Sequence, residues 1–173
     1  MISPVYGSLH TYLKICYNFA VIIVHCICRC LKEGISMTAE QRQAMKTVHD
    51  FIKQAGTYYI ASAEGDQPRV RPFGVIHIFE DKLYIQTGRR KKCYKQFVNQ
   101  KVELCCMHGG KWIRLSGTLA EDKRIEAEEA VLSAYPSLGG MYKAGDGNNC
   151  VLYFTNARAT ISSFTEPEEV YEF

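Results

Sequence analysis

The sequence lacks the patterns by which many enzymes and metalloproteins are recognised. It has no P-loop pattern, no cysteine and histidine spacing of the zinc-binding type, and no Cys, His and Asp array for nucleophilic catalysis. It also contains no internal repeat and no low-complexity segment. Nothing in it therefore favours nucleotide hydrolysis, covalent catalysis or metal binding, and we predict no bound metal.

The chain has little net charge. Its 21 Lys and Arg residues against 18 Asp and Glu residues give a formal net charge of +3 over 173 residues. A hydrophobic content of 47% is ordinary for a soluble globular protein, and the length favours one domain. Because no broad basic stripe is visible, we expect no nucleic-acid partner. A nucleic-acid-binding barrel that uses Tyr58, Tyr59 and Tyr84 is therefore the weakest of the three functions that we consider for this protein.

Residues 1–36 contain no apolar run long enough to span a membrane. The run at 19–24 is short, whereas a span needs roughly twenty apolar residues in succession. Polar residues interrupt its surroundings: Lys14, Asn18, His25 and Arg29. Residues 25–30 are also a poor signal-peptide cleavage site. We therefore expect neither a membrane anchor nor a secretory signal.

A later start site is our hypothesis for this N-terminal stretch. Residues 32–34, Lys-Glu-Gly, can be encoded by purine-rich codons that contain a bacterial ribosome-binding sequence. Such a sequence would lie a short spacer upstream of the codon for Met37. Thr38 and Gln41 then form a capping-box pattern that begins a helix. We interpret 1–36 as an N-terminal extension, untranslated or disordered, and 37–173 as the folded domain. N-terminal sequencing of the native protein would decide, since a chain beginning at Met1 would contradict the hypothesis.

Cysteine occurs at eight positions but forms no paired framework after residue 37. Cys26, Cys28 and Cys30 alternate without a second pair of ligands, which is weak support for a soft metal. Cys105 and Cys106 are adjacent, and in a strand their side chains should point to opposite faces. Reduced thiols of a cytoplasmic protein are the expected state.

Two basic clusters flank a predicted β-hairpin. The first lies in residues 67–74 and the second in residues 87–92. Apolar and β-branched segments around a polar turn at 80–82 are typical of a hairpin, which should bring Arg71 beside Lys91. Cations that converge at one end of a sheet predict an anion site, with phosphate as the preferred anion. The alternative is a solvated sheet edge.

Hydrophobic patterning predicts a mainly β protein with flanking helices. A helix should end at Gly56, and a second should run from Asp122 as its N-cap to Ala134, with Ile125, Val131 and Leu132 facing inward. A short helical segment is predicted at 92–99. Strands are predicted, besides the hairpin, at 57–62, 102–108, 112–120, 151–154, 157–164 and 170–173. Six or more short antiparallel strands favour a closed or nearly closed barrel.

Four blocks of sequence carry a family resemblance through their order and spacing. They are residues 65–73, 83–88, 91–97 and 112–117. Together they resemble the FMN-binding split-barrel family related to pyridoxamine 5'-phosphate oxidase, in particular its short single-domain bacterial members. The resemblance implies a six-stranded antiparallel split β-barrel of Greek-key type that binds FMN.

The resemblance also implies roles for individual residues. Arg71 would bind the FMN phosphate or ribityl chain, and Thr87 would hydrogen-bond the phosphate. Lys91 or Lys92 would neutralise it, and the choice between them stays open. Three residues would present their backbone along the isoalloxazine edge: Pro72, Phe73 and Gly74. The family places FMN at a homodimer interface, where Trp112 would approach the flavin from the neighbouring subunit; an ordinary core aromatic is the alternative.

The resemblance implies an FMN-binding flavoprotein that is an oxidoreductase acting on a small organic acceptor, in the manner of a nitroreductase or flavin reductase. NADH or NADPH would be the electron donor. The C-terminal segment with which the true oxidase holds pyridoxal phosphate has no counterpart at 170–173, which argues against pyridoxamine phosphate oxidation. The alternative is a non-catalytic flavin- or haem-binding protein. No catalytic residue is identified, since His77 is typical of a structural histidine and nothing demands a role for His108.

Overall fold

Residues 37–173 are described by a computed structural model. The predictions for residues 1–36 lie outside the described residues. The first helix, α1, spans Ala39–Ala55 and begins with the predicted capping box: Thr38 Oγ1 accepts from Gln41 N at 3.2 Å, and Gln41 Oε1 accepts from Thr38 N at 3.0 Å. It ends at Gly56, whose φ of 74° lies in the left-handed region that glycine tolerates best.

Eight antiparallel strands form one sheet in the order β2-β1-β5-β6-β7-β4-β3, with β8 paired to β7. The strands are β1 (Tyr58–Glu64), β2 (Gln67–Phe73), β3 (His77–Phe79), β4 (Lys82–Gly88), β5 (Lys101–His108), β6 (Lys111–Asp122), β7 (Asn149–Ser162) and β8 (Glu169–Glu172). The other helices of residues 37–173 are α2 (Tyr94–Phe97), α3 (Ile125–Ala134) and a 3₁₀ turn at Pro136–Gly140. No helix of the described residues is long and apolar enough to cross a membrane.

Strand β7 helps to explain why residues 37–173 contain eight strands, whereas the resemblance implied six. Its first half pairs with β4 and its second half with β8, so two strands share one edge of it at different ends. The short strands β3 and β8 extend the sheet at its margins. On the other edge the β6–β7 register shifts beside Gly117, where an added Cβ would lie 3.0 Å from Phe154 Cδ1. The predicted mainly β class with flanking helices is confirmed.

The predicted hairpin around the polar turn at 80–82 forms, but the first basic cluster lies outside it. Strands β3 and β4 do form a hairpin, and Glu80 and Asp81 at its turn have φ of 45° and 55°. Strand β2, however, pairs with β1, so that Arg71 lies opposite Ile60. The link at 74–76 connects β2, which pairs with β1, to β3, which pairs with β4. The alternation of residues in the sequence did not reveal this break between the two strands.

The second predicted helix begins later than expected. Arg124 is the N-cap of α3, whereas Asp122 is the last residue of β6 and accepts from Arg124 N at 3.0 Å. Val131 is buried as predicted, but Ile125, the first residue of the helix, is 52% exposed. Helix α3 and β4 share a small apolar cluster, separate from the main core between α1 and the sheet.

Candidate functional site

A cavity of about 360 Å³ lies where the two basic clusters meet. Two stretches of chain line it, one from the end of β2 into the link, and one from the end of β4 to the turn before α2. The lining residues are Arg71, Pro72, Phe73, Gly74, Val75, Gln86, Lys91 and Cys93. Arg71 and Lys91 therefore share one cavity, although Arg71 lies on β2, outside the β3–β4 hairpin.

Neutral oxygen atoms hold Arg71 in position. Its Nη1 donates to Ser62 Oγ at 3.0 Å, and its Nη2 donates to Gln96 Oε1. The guanidinium carbon lies 5.7 Å from the centroid of the Phe97 ring. No carboxylate pairs with Arg71 among residues 37–173. Its orientation is fixed while its charge is not neutralised.

Glu64 is a nearby carboxylate, but other groups bind it. Arg69 Nε is 2.8 Å from Glu64 Oε2, and Gln96 Nε2 donates to Glu64 Oε1 at 3.0 Å. Gln96 thus lies between Glu64 and Arg71 and uses its amide to contact both. Arg69 has the partner expected of a solvated sheet edge, whereas Arg71 does not.

Lys91 is held by its backbone in the turn after β4. Its N donates to Gly88 O at 2.9 Å, and its carbonyl accepts from Tyr94 N at 3.0 Å. The ammonium is exposed and lies 5.8 Å from the centroid of the Tyr142 ring. Lys92 is also exposed but does not line the cavity.

The link at 74–76 has a backbone that two tyrosine hydroxyls partly satisfy. Tyr58 Oη donates to Val75 O at 2.7 Å. Tyr135 Oη donates to Ile76 O at 2.7 Å and accepts from Ile76 N at 3.1 Å. The N–H and carbonyl of Gly74 and the N–H of Val75 have no partner within residues 37–173.

Gln86 is a buried polar residue of the cavity lining, and it contacts Thr87 and Asn149, which do not line the cavity. Gln86 Nε2 donates to Thr87 O and to Asn149 Oδ1, both at 2.9 Å, which leaves Gln86 Oε1 as an acceptor. The Thr87 hydroxyl is fully buried, 3.7 Å from Cys93 Sγ. Asn149 Nδ2 is the one buried side-chain nitrogen or oxygen atom without a partner in the described part of the chain.

Arg89, adjacent to the cavity turn, is committed to an ion-pair network. Its Nη2 lies 2.8 Å from Glu121 Oε1 and 3.3 Å from Glu128 Oε1, and its Nη1 donates to Asn149 O. Burial raises the pKa of Glu121, but hydrogen bonds from Tyr94 and Arg89 outweigh it and lower that pKa overall. Arg89 therefore stabilises the turn and is not free to bind an anion.

Comparison with solved structures identifies the family. A NimC/NimA family protein from Clostridium acetobutylicum is 46% identical in sequence and has a TM-score of 0.75. The match covers 78% of this chain and 95% of that protein. The chain belongs to the NimC/NimA family. A scan against protein-family models gave no match, and neither did a search of curated protein sequences.

More distant structures share the fold of this NimC/NimA family member. A haem-binding protein from Mycobacterium smegmatis, 8% identical, has a TM-score of 0.58 over 75% of this chain and 57% of its own. A general stress FMN/FAD-binding protein from Xanthomonas citri, 16% identical, has a TM-score of 0.52 over 74% of this chain and 94% of its own. These structures confirm the fold that the predicted resemblance to the split-barrel family related to pyridoxamine 5'-phosphate oxidase implied.

The structure brings together five of the eight predicted cofactor residues at the cavity of this family member: Arg71, Pro72, Phe73, Gly74 and Lys91. Of the others, Thr87 is buried behind the lining, and Lys92 lies outside it. Trp112 lies on β6, and its ring packs at a centroid distance of 5.1 Å on that of Phe164. The roles of all eight residues stay predictions.

Sequence reasoning missed three residues of the lining: Val75, Gln86 and Cys93. Gln86 carried a usable signal, because a polar amide inside the apolar strand β4 needs buried partners. Cys93 carried none, since a buried thiol is usually a small core residue. His77 and His108 do not line the cavity, and the His108 ring packs edge-on against Phe51 at 6.1 Å between centroids.

Proposed function

We propose that this protein binds FMN in the cavity of Arg71 and Lys91. The observation that carries the proposal is the presence of two cations at one cavity without a carboxylate partner among the described residues. A phosphate group is the ligand that such a pair favours, and Arg71 offers it planar, directed donors. Family membership supports the same ligand, because related split barrels include an FMN/FAD-binding protein.

The remaining lining fits the rest of an FMN molecule. The isoalloxazine edge carries both acceptors and an N–H donor, and the backbone at Gly74 and Val75 offers two N–H groups and a carbonyl without partners in the described chain. The Phe73 side chain, stacked on Tyr58 at 6.0 Å between centroids, supplies an apolar wall. Gln86 Oε1 can accept a hydrogen bond from a ligand hydroxyl.

Each part of the site has a distinct task in this proposal. Arg71 and Lys91 hold the phosphate, the link at 74–76 orients the ring, and Phe73 excludes water from one side of it. When bound, FMN would supply two-electron transfer from NADH or NADPH to a small organic acceptor such as a nitroaromatic or quinone.

A homodimer is the second part of the proposal. Trp112 on β6 lies opposite Met107 on β5 and packs on Phe164. Met107 is 66% exposed and Phe164 is 91% exposed. Such an exposed apolar patch is typical of an interaction surface, and a second copy of the chain would cover it. Trp112 would then approach the flavin of the neighbouring subunit. Sedimentation over a range of concentrations measures the dimer directly, and Phe164→Ser should weaken it.

The experiment that tests the flavin proposal begins with the purified protein. A yellow sample that releases FMN on denaturation supports FMN binding, and a colourless one that takes up no added FMN contradicts it. A haem spectrum would favour the non-catalytic haem-binding alternative. Anaerobic addition of NADH or NADPH then separates enzyme from carrier, because bleaching of the flavin is expected only of an oxidoreductase that accepts these donors.

A further inference from the structure

We propose that Tyr58 and Tyr135 are positioning residues for the ring of the bound flavin. Their hydroxyl groups would hold the link at 74–76 in a conformation in which the free backbone groups of Gly74 and Val75 remain directed to the ligand. The inference rests on the proposed FMN site and adds two residues that do not line the cavity.

The argument begins with the backbone of the link. Strand β2 ends at Phe73 and β3 begins at His77, so no sheet ladder covers the residues between them. Ile76 is 1% exposed, and water therefore cannot satisfy its main-chain groups. Tyr135 Oη takes both of them, donating to the carbonyl at 2.7 Å and accepting from the N–H at 3.1 Å. The hydroxyl group of Tyr135 thereby makes the two main-chain hydrogen bonds that a neighbouring strand would otherwise make.

Tyr58 completes this arrangement from a different element. It is fully buried in β1, and its hydroxyl donates to Val75 O at 2.7 Å. Tyr135 follows α3, whose last turn fixes it through Tyr135 N, which donates to Val131 O at 3.1 Å. The link is thus tied to two elements at three main-chain atoms, and only the groups of Gly74 and Val75 that adjoin the cavity stay unpaired among residues 37–173.

Loss of a hydroxyl should loosen the link. In Tyr135→Phe the buried N–H and carbonyl of Ile76 would lack partners, and a segment with such groups shifts until they find new ones. The unpaired amides of Gly74 and Val75 would then no longer be preorganised for a ring edge. A site that must be ordered on binding has a weaker affinity for its ligand.

The test compares Tyr135→Phe and Tyr58→Phe with Tyr84→Phe as a matched control. Tyr84 is also fully buried and donates a hydrogen bond of 2.8 Å, but to Asp122 and not to the link. Under conditions in which all variants are folded, we expect the first two to weaken FMN binding by about tenfold or more and to shift the visible flavin band. The control should lose stability and keep both properties.

Amide hydrogen exchange of the FMN-free protein gives a readout that does not require a ligand. The peptide containing 74–76 should exchange faster in Tyr135→Phe and Tyr58→Phe than in Tyr84→Phe. Equal exchange in all three, or unchanged FMN affinity in a folded Tyr135→Phe, would overturn the inference. If the wild-type protein binds no FMN, the proposed function fails, and so does the proposal that Tyr58 and Tyr135 position the flavin ring. Faster exchange would then show only that the two tyrosines hold the link.

Discussion

Arg71 Nη1 donates a hydrogen bond of 3.0 Å to Ser62 Oγ. The two residues lie on adjacent strands, and the hydroxyl directs the guanidinium without neutralising it. Arg69, two positions earlier, instead pairs with Glu64 at 2.8 Å. This difference between neighbouring arginines is what distinguishes an anion site from a solvated strand edge, and a cluster of basic letters in the sequence does not reveal it.

The first prediction separates the two lysines that the sequence left undecided. Lys91→Ala should weaken FMN binding by about tenfold, because an ammonium that contacts the phosphate contributes roughly 1–2 kcal/mol at a partly exposed site. Lys92→Ala, with the same loss of charge outside the lining, is the matched control and should change the affinity little. Fluorescence titration at two salt concentrations measures both, and an equal effect of the two variants would contradict the assignment.

A second prediction concerns Gly88, where β4 meets the turn that carries Lys91. A Cβ at this position would lie 3.2 Å from Tyr142 Cε1 and from Asn148 Oδ1, so these neighbours would have to move. We expect Gly88→Ala to lower the free energy of unfolding by about 1–3 kcal/mol. Gly139→Ala, which meets no atom within 4 Å, is the control and should be close to neutral. Denaturant unfolding measures both, and equal stability of the two variants would show that the close approach does not matter.

The ion-pair network around Arg89 gives a third prediction. Arg89→Ala would leave the Glu128 side chain, 4% exposed, without its cation, although Gly145 N still donates to it at 2.9 Å. Removing one partner of a buried pair usually costs about 3–5 kcal/mol, so a large loss of stability is expected. Arg90→Ala removes the exposed neighbouring charge and should change stability by less than about 0.5 kcal/mol. Thermal unfolding would refute the network's role if both variants melted alike.

The elements that the sequence predicted well are those with a local cause. The capping box of Thr38 and Gln41 places the start of α1, and Gly56 its end, because both depend on the residues concerned. Cys105 is exposed and Cys106 buried, as strand alternation requires. Arg71 and Lys91 could likewise be placed at one site from their motifs.

The elements that could not be predicted depend on pairing between distant segments. Whether residues 67–79 form one strand or two is decided by partners in β1 and β4, and alternation alone does not encode the break at 74–76. The neutral environment of Arg71 depends on Ser62 and Gln96, whose contacts only the fold creates. The predicted start of α3 was wrong because tertiary contacts hold Asp122 in β6, where it pairs with Val151 and accepts a hydrogen bond from Tyr84.

The fourth prediction is a pH dependence that arises from Asp122. Hydrogen bonds from the Arg124 side chain, followed by others from its backbone and from Tyr84, lower the pKa of this 6% exposed carboxyl from 3.8 to about 2. A lowered pKa stabilises the fold above the unfolded-state pKa, and this stabilisation is lost as the pH falls from about 4 through 2. Asp122→Asn should therefore lose roughly 2 kcal/mol relative to the wild type at pH 7. The difference should shrink toward pH 2, and a constant difference across that range would contradict the assignment.

The most direct test of the central claim is a comparison of FMN and riboflavin binding, since the two ligands differ only by the phosphate group. In the wild-type protein we expect FMN to bind more tightly than riboflavin by about tenfold to a hundredfold, as charge-assisted hydrogen bonds of roughly 1.5–3 kcal/mol would give. In Arg71→Ala this difference between the two affinities should narrow, because FMN affinity falls while riboflavin affinity changes little. In Arg69→Ala the difference should persist. Equal affinities in the wild type, or a gap that survives Arg71→Ala undiminished, would contradict a phosphate site at Arg71.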